Sequence, residues 1–339
     1  MLGVIGGSFL QRIEREVIIA VPAEILATKN DASNDEELGE SPPTAERSED
    51  NRSRTGSMKV ITSVFLRMSL SPLSVLITGA NRGIGLGLVK QWATVAGVKH
   101  IFACARKPDA AEELNELSRK DGRIHCIKLD VNSDKSIADA KKKVDLMLDE
   151  GVGLNVLINN AGCLISEGGT LENADRSVYL QHFDTNVVSI VKVIEAFLPL
   201  LRMASKNCMS DEWGVHRATI INISSGLGSI QANESGSKLV KSIPYRLSKA
   251  ALNQLTKTLA IDLANDAILI VSMCPGWVKT DMGGSDATLS VEDSTKAQLQ
   301  TSLSLRKEHS GLFLRHDDTM CSCDYNKYSF VKRRKLRCM

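Results

Sequence analysis

From Leu73 onward, short apolar runs alternate with longer segments whose apolar residues recur every three or four positions, the pattern of strands and amphipathic helices in turn. Val75–Ile77 is a continuous apolar run, as expected of a strand covered on both faces of a parallel sheet. Ile84, Leu88, Val89 and Trp92 follow at helical spacing. His100–Ala105 predicts a second strand, Pro108 opens a helix through Leu114 and Leu117, and Ile124–Leu129 predicts a third strand ending at Asp130. Ser133 is placed to cap a charged helix reaching about Asp149, with Ile137, Val144 and Leu148 inward.

The alternation continues. Leu154–Ile158 predicts a fourth strand running into Asn159-Asn160-Ala161-Gly162, and a long helix comes next over 178–203 with Val187, Ile190, Ile194 and Leu198 on its apolar surface. Thr219–Ile223 is the fifth strand, 244–264 the next long helix and Ile268–Met273 the sixth strand. Strands and helices in turn, with short connections, predict an α/β fold: a single doubly wound parallel sheet of Rossmann type, helices on both faces and the ligand at the carboxyl ends of the strands. The apolar surfaces of helices 178–203 and 244–264 are wide enough for both the core and a homodimer contact.

The first 67 residues break the pattern. Residues 30–56 are dominated by Asp, Glu, Ser, Asn and Arg around Pro42-Pro43, too polar for a core, and read as part of a disordered extension over 1–67. Met68, just ahead of the first strand, is a second candidate start; the α/β domain is placed at 68–315 and a tail without a matching pattern at 316–339. The basic run Lys332-Arg-Arg-Lys335 in that tail reads as a solvated end.

A formal net charge of +2 leaves no electrostatic footprint for nucleic acid or a membrane surface. The eight cysteines lie mostly in apolar runs, as small buried hydrophobes in a reducing compartment do, and Cys321-Ser-Cys323 lacks the partners of a zinc site, so no metal is expected. No apolar stretch is long enough to cross a bilayer, and Glu14, Glu16 and Glu24 spoil a signal or transit peptide. A cytoplasmic protein is the expectation.

Candidate chemistry begins at Thr78-Gly79-Ala-Asn81-Arg82-Gly83-Ile84-Gly85, a glycine turn between the first strand and its helix. Glycine there lets the backbone bend and approach a ligand, and the helix N-terminus beyond presents amide donors to a diphosphate. The spacing differs from G-x-G-x-x-G. Tyr245 and Lys249 stand one helical turn apart on one face, where a cation favours the ionised form of a phenol. Ser225 follows the fifth strand directly and would give a second donor to a carbonyl oxygen as charge develops on it. Asn186 is an amide inside an apolar helix: either a satisfied buried amide or the holder of a proton-relay water.

These landmarks, with Asp130, Asn159-Asn160-Ala-Gly162 and Pro275-Gly276, resemble in their order the short-chain dehydrogenase/reductase family, over about Leu73 to Leu314. Residues 221–231 and the run Pro275-Gly-Trp-Val-Lys-Thr-Asp-Met-Gly-Gly look most like the sniffer-type carbonyl reductases. The resemblance implies NADPH-dependent reduction of an aldehyde or ketone. Tyr245 would be the general acid, Ser225 would polarise the carbonyl, Asn186 would hold the relay water, and Lys249 would lower the tyrosine pKa and bond the nicotinamide ribose. It places the cofactor on Gly79, Asn81, Arg82, Gly83, Ile84, Gly85, Arg106, Asp130, Asn160, Tyr245, Lys249, Pro275, Gly276, Val278 and Thr280.

NADP(H) is expected over NAD(H) because the second strand ends in Ala105-Arg106, with no carboxylate for a ribose 2′-hydroxyl and with a guanidinium for a 2′-phosphate, to which Arg82 adds a second cation. Two other readings stay open: a hydroxysteroid or 3-oxoacyl reductase on the same machinery, and a non-catalytic nicotinamide-binding scaffold. The stretch Gly226 to Ser242 is longer than is usual for the family and polar enough to be a mobile loop over the substrate pocket.

Overall fold

Seven parallel strands in the order β3-β2-β1-β4-β5-β6-β7 form one sheet in the computed structural model, which describes residues 71–321 except Leu239. The expectations for residues 1–67 and for the basic tail lie outside the described residues. β1 (Ser74–Thr78) pairs with β2 (His100–Ala105) on one side and β4 (Val156–Asn159) on the other. The chain order reverses between β3 (Ile124–Lys128) and β4, so the carboxyl ends of β1 and β4 border the switch point where such sheets bind ligands. β5 (Thr219–Ile223) and β6 (Leu269–Cys274) extend the sheet, and the three-residue β7 (Phe313–Arg315) closes it. Residues 316–321 turn back onto β7, with the Cys321 N–H donating to the Phe313 carbonyl at 2.9 Å.

The period of two along each strand divides the core into two layers. Leu76, Phe102, Leu157, Ile220 and Ile270 face helices α3 (Asp134–Met147), α5 (Ser189–Asn207) and α6 (Ile243–Asp262), meeting Val144, Phe197 and Leu252 among others. Val75, Ile77, Ile101, Ile158, Ile221 and Val271 face the other side, against Trp92 of α1 (Gly83–Ala93), Leu114 of α2 (Glu112–Lys120) and Leu299 of α7 (Val291–Ser304). Ser133 caps α3, accepting from the Ser136 N–H at 3.3 Å. Pro108 opens only a short turn, Pro108–Ala110, ahead of α2.

The helix expected over 178–203 is broken into three parts: α4 (Arg176–Phe183), a π-helical turn Asp184–Val188, and α5. An extra residue in one turn leaves the helix axis continuous while rotating the faces of the later turns, and such turns cluster at functional sites. Here the turn carries Asn186, which is fully buried. Among the described residues no helix is long and apolar enough to cross a membrane.

Candidate active site

The loops at the carboxyl ends of β1, β4, β5 and β6 bring the predicted residues together. After β1, Gly79 and Gly83 adopt positive φ (67° and 52°), which side-chain-bearing residues rarely do. Gly85 is held to glycine by space: a Cβ there would fall 2.1 Å from the Gly79 carbonyl oxygen and 2.7 Å from Asn160 Nδ2. Arg82, at the N-cap of α1, offers no side-chain cap, so the first-turn amides have no acceptor from it. Asn160 braces this turn by donating from Nδ2 to the carbonyls of Thr78 (2.8 Å) and Gly79 (3.3 Å), while Thr78 Oγ1 accepts from the Asn160 and Ala161 amides, both at 3.0 Å.

Thr280, beyond β6, closes over the same turn; its Cγ2 would lie 3.3 Å from a Cβ at Gly83. Pro275 accepts at its carbonyl from Ser294 Oγ (2.6 Å), Gly276 turns the chain at φ 83°, and Val278 is buried. Asp130, at the end of β3, is half-buried, and its carboxylate accepts from the Asn132 amide at 3.1 Å. Asn81 is exposed and Ile84 half-buried on the turn itself, and Arg106 is exposed just past the buried Ala105. The Arg82 guanidinium is ion-paired with the Asp281 carboxylate, next to Thr280. The carboxylate lies 199 positions away along the chain, so no local sequence feature announced it.

Tyr245 is 7 % exposed on the first turn of α6. Ser242 caps that helix, its Oγ accepting from the Tyr245 N–H at 3.4 Å. Burial pushes the phenol up to about 12, and its hydrogen bond with the Ser225 hydroxyl pulls the other way. Lys249, one turn on, is buried as well and is pushed down to about 8 for the same reason. Its Nζ donates to the Ile223 carbonyl at 2.8 Å and stands 5.8 Å from the centroid of the Tyr245 ring. In this geometry burial is the largest influence on both groups.

Ser225 opens the turn Gly226–Gly228, accepting from the Leu227 N–H at 3.2 Å. Asn186 turns out to be a satisfied amide. Its Oδ1 accepts from the Cys163 N–H (2.9 Å), and Nδ2 donates to the Cys163 carbonyl (3.0 Å) and to Ser248 Oγ (3.0 Å). Both hydrogens of its NH₂ are thus committed to protein. The stretch after Ser225 is tied to α6, since Arg246 donates to Asn233 Oδ1 (3.1 Å) and Ser235 Oγ (3.2 Å).

The arrangement unites a dinucleotide-type turn with an acid, a polarising hydroxyl and a buried ammonium, and a family model described as short chain dehydrogenase matches residues 74–288. The chain belongs to the short-chain dehydrogenase family. It is an oxidoreductase of that family, and several relatives cover most of it. An uncharacterised oxidoreductase of Schizosaccharomyces pombe is 33 % identical over 261 residues, 72 % of this chain and 95 % of the relative. The carbonyl reductase Sniffer of Drosophila melanogaster shares 40 % identity at a TM-score of 0.70, covering 74 % of this chain and 98 % of that one. The NADPH-bound carbonyl reductase from chicken fatty liver shares 36 % at a TM-score of 0.70, over 74 % and 94 %.

Three residues near the acid were missed from sequence. Cys163 and Cys274 are only half-buried, and Cys274 Sγ accepts from the Gly226 N–H at 3.2 Å. His182, on α4, sets its ring 6.3 Å from that of Tyr245. A histidine in an amphipathic helix carries no signal of such a contact. Among the described residues no group of three or more His, Cys, Asp or Glu stands ready for a metal ion.

Proposed function

We propose that this short-chain dehydrogenase uses NADPH to reduce an aldehyde or ketone to the alcohol, with Tyr245 as general acid. The observation that carries the reading is the convergence of Tyr245, Ser225 and Lys249 at the carboxyl edge of the sheet, beside a glycine turn wound so tightly that a Cβ at Gly85 would collide with the Gly79 carbonyl oxygen. The residues present fit the cofactor: first-turn amides of α1 suit a diphosphate, Arg106 suits a 2′-phosphate, and the segment Pro275 to Thr280 closes over the turn. The likeness to the NADPH-bound chicken enzyme supports the same choice.

When bound, the nicotinamide supplies the hydride. The protein's own residues manage the proton. The Tyr245 phenol, pushed up to about 12 by burial, is protonated at neutral pH, the form a reductase needs, and its proton passes to the carbonyl oxygen as that oxygen gains negative charge, leaving the phenolate. Ser225 donates to the same oxygen and steadies it, and the Lys249 ammonium, still mostly charged below about 8, stabilises the phenolate left behind. The exposed apolar residues Val188 and Val191 beside Asn186, with Leu247 and Ile261 on α6, support a homodimer through these helices. NADPH absorbance loss over a panel of aldehydes and ketones tests the reading, with Tyr245→Phe as the inactive control. NADPH oxidation with none of them would overturn it, and so would equal activity in the control.

A further inference from the structure

Resting on that reading, we propose that His182 is a positioning residue that fixes the orientation of Tyr245 for proton transfer. His182 is 0 % exposed, and both of its ring nitrogens are committed. Nδ1 stands 2.7 Å from the Val178 carbonyl oxygen, which only accepts, so Nδ1 carries the proton. Nε2 stands 3.1 Å from the Ile165 nitrogen, which only donates, so Nε2 is bare. The imidazole is therefore neutral, in one tautomer, with no proton to give the phenol. Its contribution is a surface: its ring meets that of Tyr245 edge-on, with centroids 6.3 Å apart and planes at 73°.

A second route reaches Tyr245 from the same imidazole. The Ile165 residue whose N–H is received by His182 accepts at its carbonyl from Ser242 Oγ at 2.9 Å, and Ser242 Oγ in turn receives the Tyr245 N–H. One side chain on α4 thus sets the ring of Tyr245 by contact and the first turn of α6 through the segment after β4. Asn186 pins that segment two residues earlier, at Cys163, from the neighbouring turn of the same helical run. A phenol that must meet a carbonyl oxygen within hydrogen-bond reach gains its rate from such placement.

Three measurements test this. In ¹⁵N-labelled protein the His182 ring signals, assigned by their loss in His182→Gln, should show a protonated Nδ1 and a bare Nε2; the opposite tautomer or an imidazolium overturns the proposal. His182→Ala should lower kcat, for a carbonyl that the unmodified protein reduces, by roughly ten- to a hundredfold, the scale of a misplaced reacting group, with NADPH affinity by fluorescence titration held within about twofold. His182→Gln, whose amide oxygen can take the Ile165 N–H, should keep KM near that of the unmodified protein while kcat stays low for want of the ring edge. Unchanged kcat in His182→Ala, or cofactor affinity falling in step with kcat, overturns the positioning role. An unmodified protein inactive on every carbonyl defeats the reading of function instead, and the ring-nitrogen result then decides for His182.

Discussion

Lys249 holds its ammonium 5.8 Å from the centroid of the Tyr245 ring while donating its hydrogen bond to the Ile223 carbonyl. Two ionisable groups buried side by side make stability depend on pH in opposite directions. Lys249 is pushed down from 10.5 to about 8, so between those values the unfolded chain binds a proton that the folded chain has released, and stability rises with pH. The burial cost is full below 8. Tyr245 is raised from 10 to about 12, so its effect runs downward, and only above pH 10. Lys249→Met should therefore melt higher than the unmodified protein at pH 7, and the gap should narrow steadily from pH 8 to pH 10. Parallel melting curves across that range would refute the assignment.

For Tyr245, the phenol oxygen is the only part the proposed chemistry requires. Tyr245→Phe keeps the ring that packs on His182 while removing the acid, so the fold and NADPH affinity should persist. Turnover should fall by at least the roughly 10² to 10⁴ typical of a lost general acid. Steady-state rates beside a cofactor titration check this, and normal turnover would place the acid elsewhere.

Much of this arrangement was legible in the residues, and the gaps have physical causes. His100–Ala105 and Thr219–Ile223 have the boundaries their residues predict, because buried central strands are continuous apolar runs flanked by turn chemistry. The helix α7 and strand β7 went unread. α7 buries Ser294, Thr295, Gln298, Thr301 and Ser302, so it has almost no apolar stripe to detect, and β7 is three residues long. The π-helical turn at Asn186 was invisible because apolar positions continue through it at nearly helical spacing. Tyr245 and Lys249 were legible from their spacing of one helical turn, and Ser225 from its place directly after the fifth strand. His182 and Asp281 were not, since each acts through a contact that only the fold creates.

The Arg82–Asp281 pair bears on cofactor choice. Both side chains are largely exposed, 69 % and 76 %, so their attraction is screened and worth about 0–1 kcal/mol. A 2′-phosphate would compete with Asp281 for the guanidinium. Asp281→Asn should accordingly raise NADPH affinity by no more than about fivefold and leave NADH affinity unchanged. Arg106→Ala should weaken NADPH binding by roughly ten- to a hundredfold, as loss of a charge-assisted contact does, and Ala105→Asp should shift preference toward NADH. Fluorescence titrations with both nucleotides decide, and equal kcat/KM for the two in the unmodified protein would sink the NADPH preference.

Gly228 offers a test of how closely Ser225 must be registered on Tyr245. It ends the turn that Ser225 opens, and its N–H donates to the Ser225 carbonyl at 2.8 Å, so the two move together. A Cβ at Gly228 would lie 2.7 Å from the Lys249 carbonyl carbon and 2.9 Å from the Lys249 oxygen. Those atoms are helix backbone and cannot swing aside as a flexible side chain would. The turn must lift instead, carrying the Ser225 hydroxyl away from the phenol. Gly228→Ala should cost about 1–3 kcal/mol as overpacking does, a loss the folded domain can absorb. Its effect on kcat/KM should be larger than that implies, roughly ten- to a hundredfold, because a small displacement of a reacting group is amplified in the transition state. Gly226→Ala is the control. In the same turn, its added Cβ would meet nothing nearer than Cys274 Sγ at 3.9 Å, an ordinary contact, so rate and melting temperature should both stay near those of the unmodified protein. Equal rates for the two variants, measured with a carbonyl that the unmodified protein reduces, would show that the Ser225 register tolerates the shift and that the hydroxyl contributes little to polarising the carbonyl.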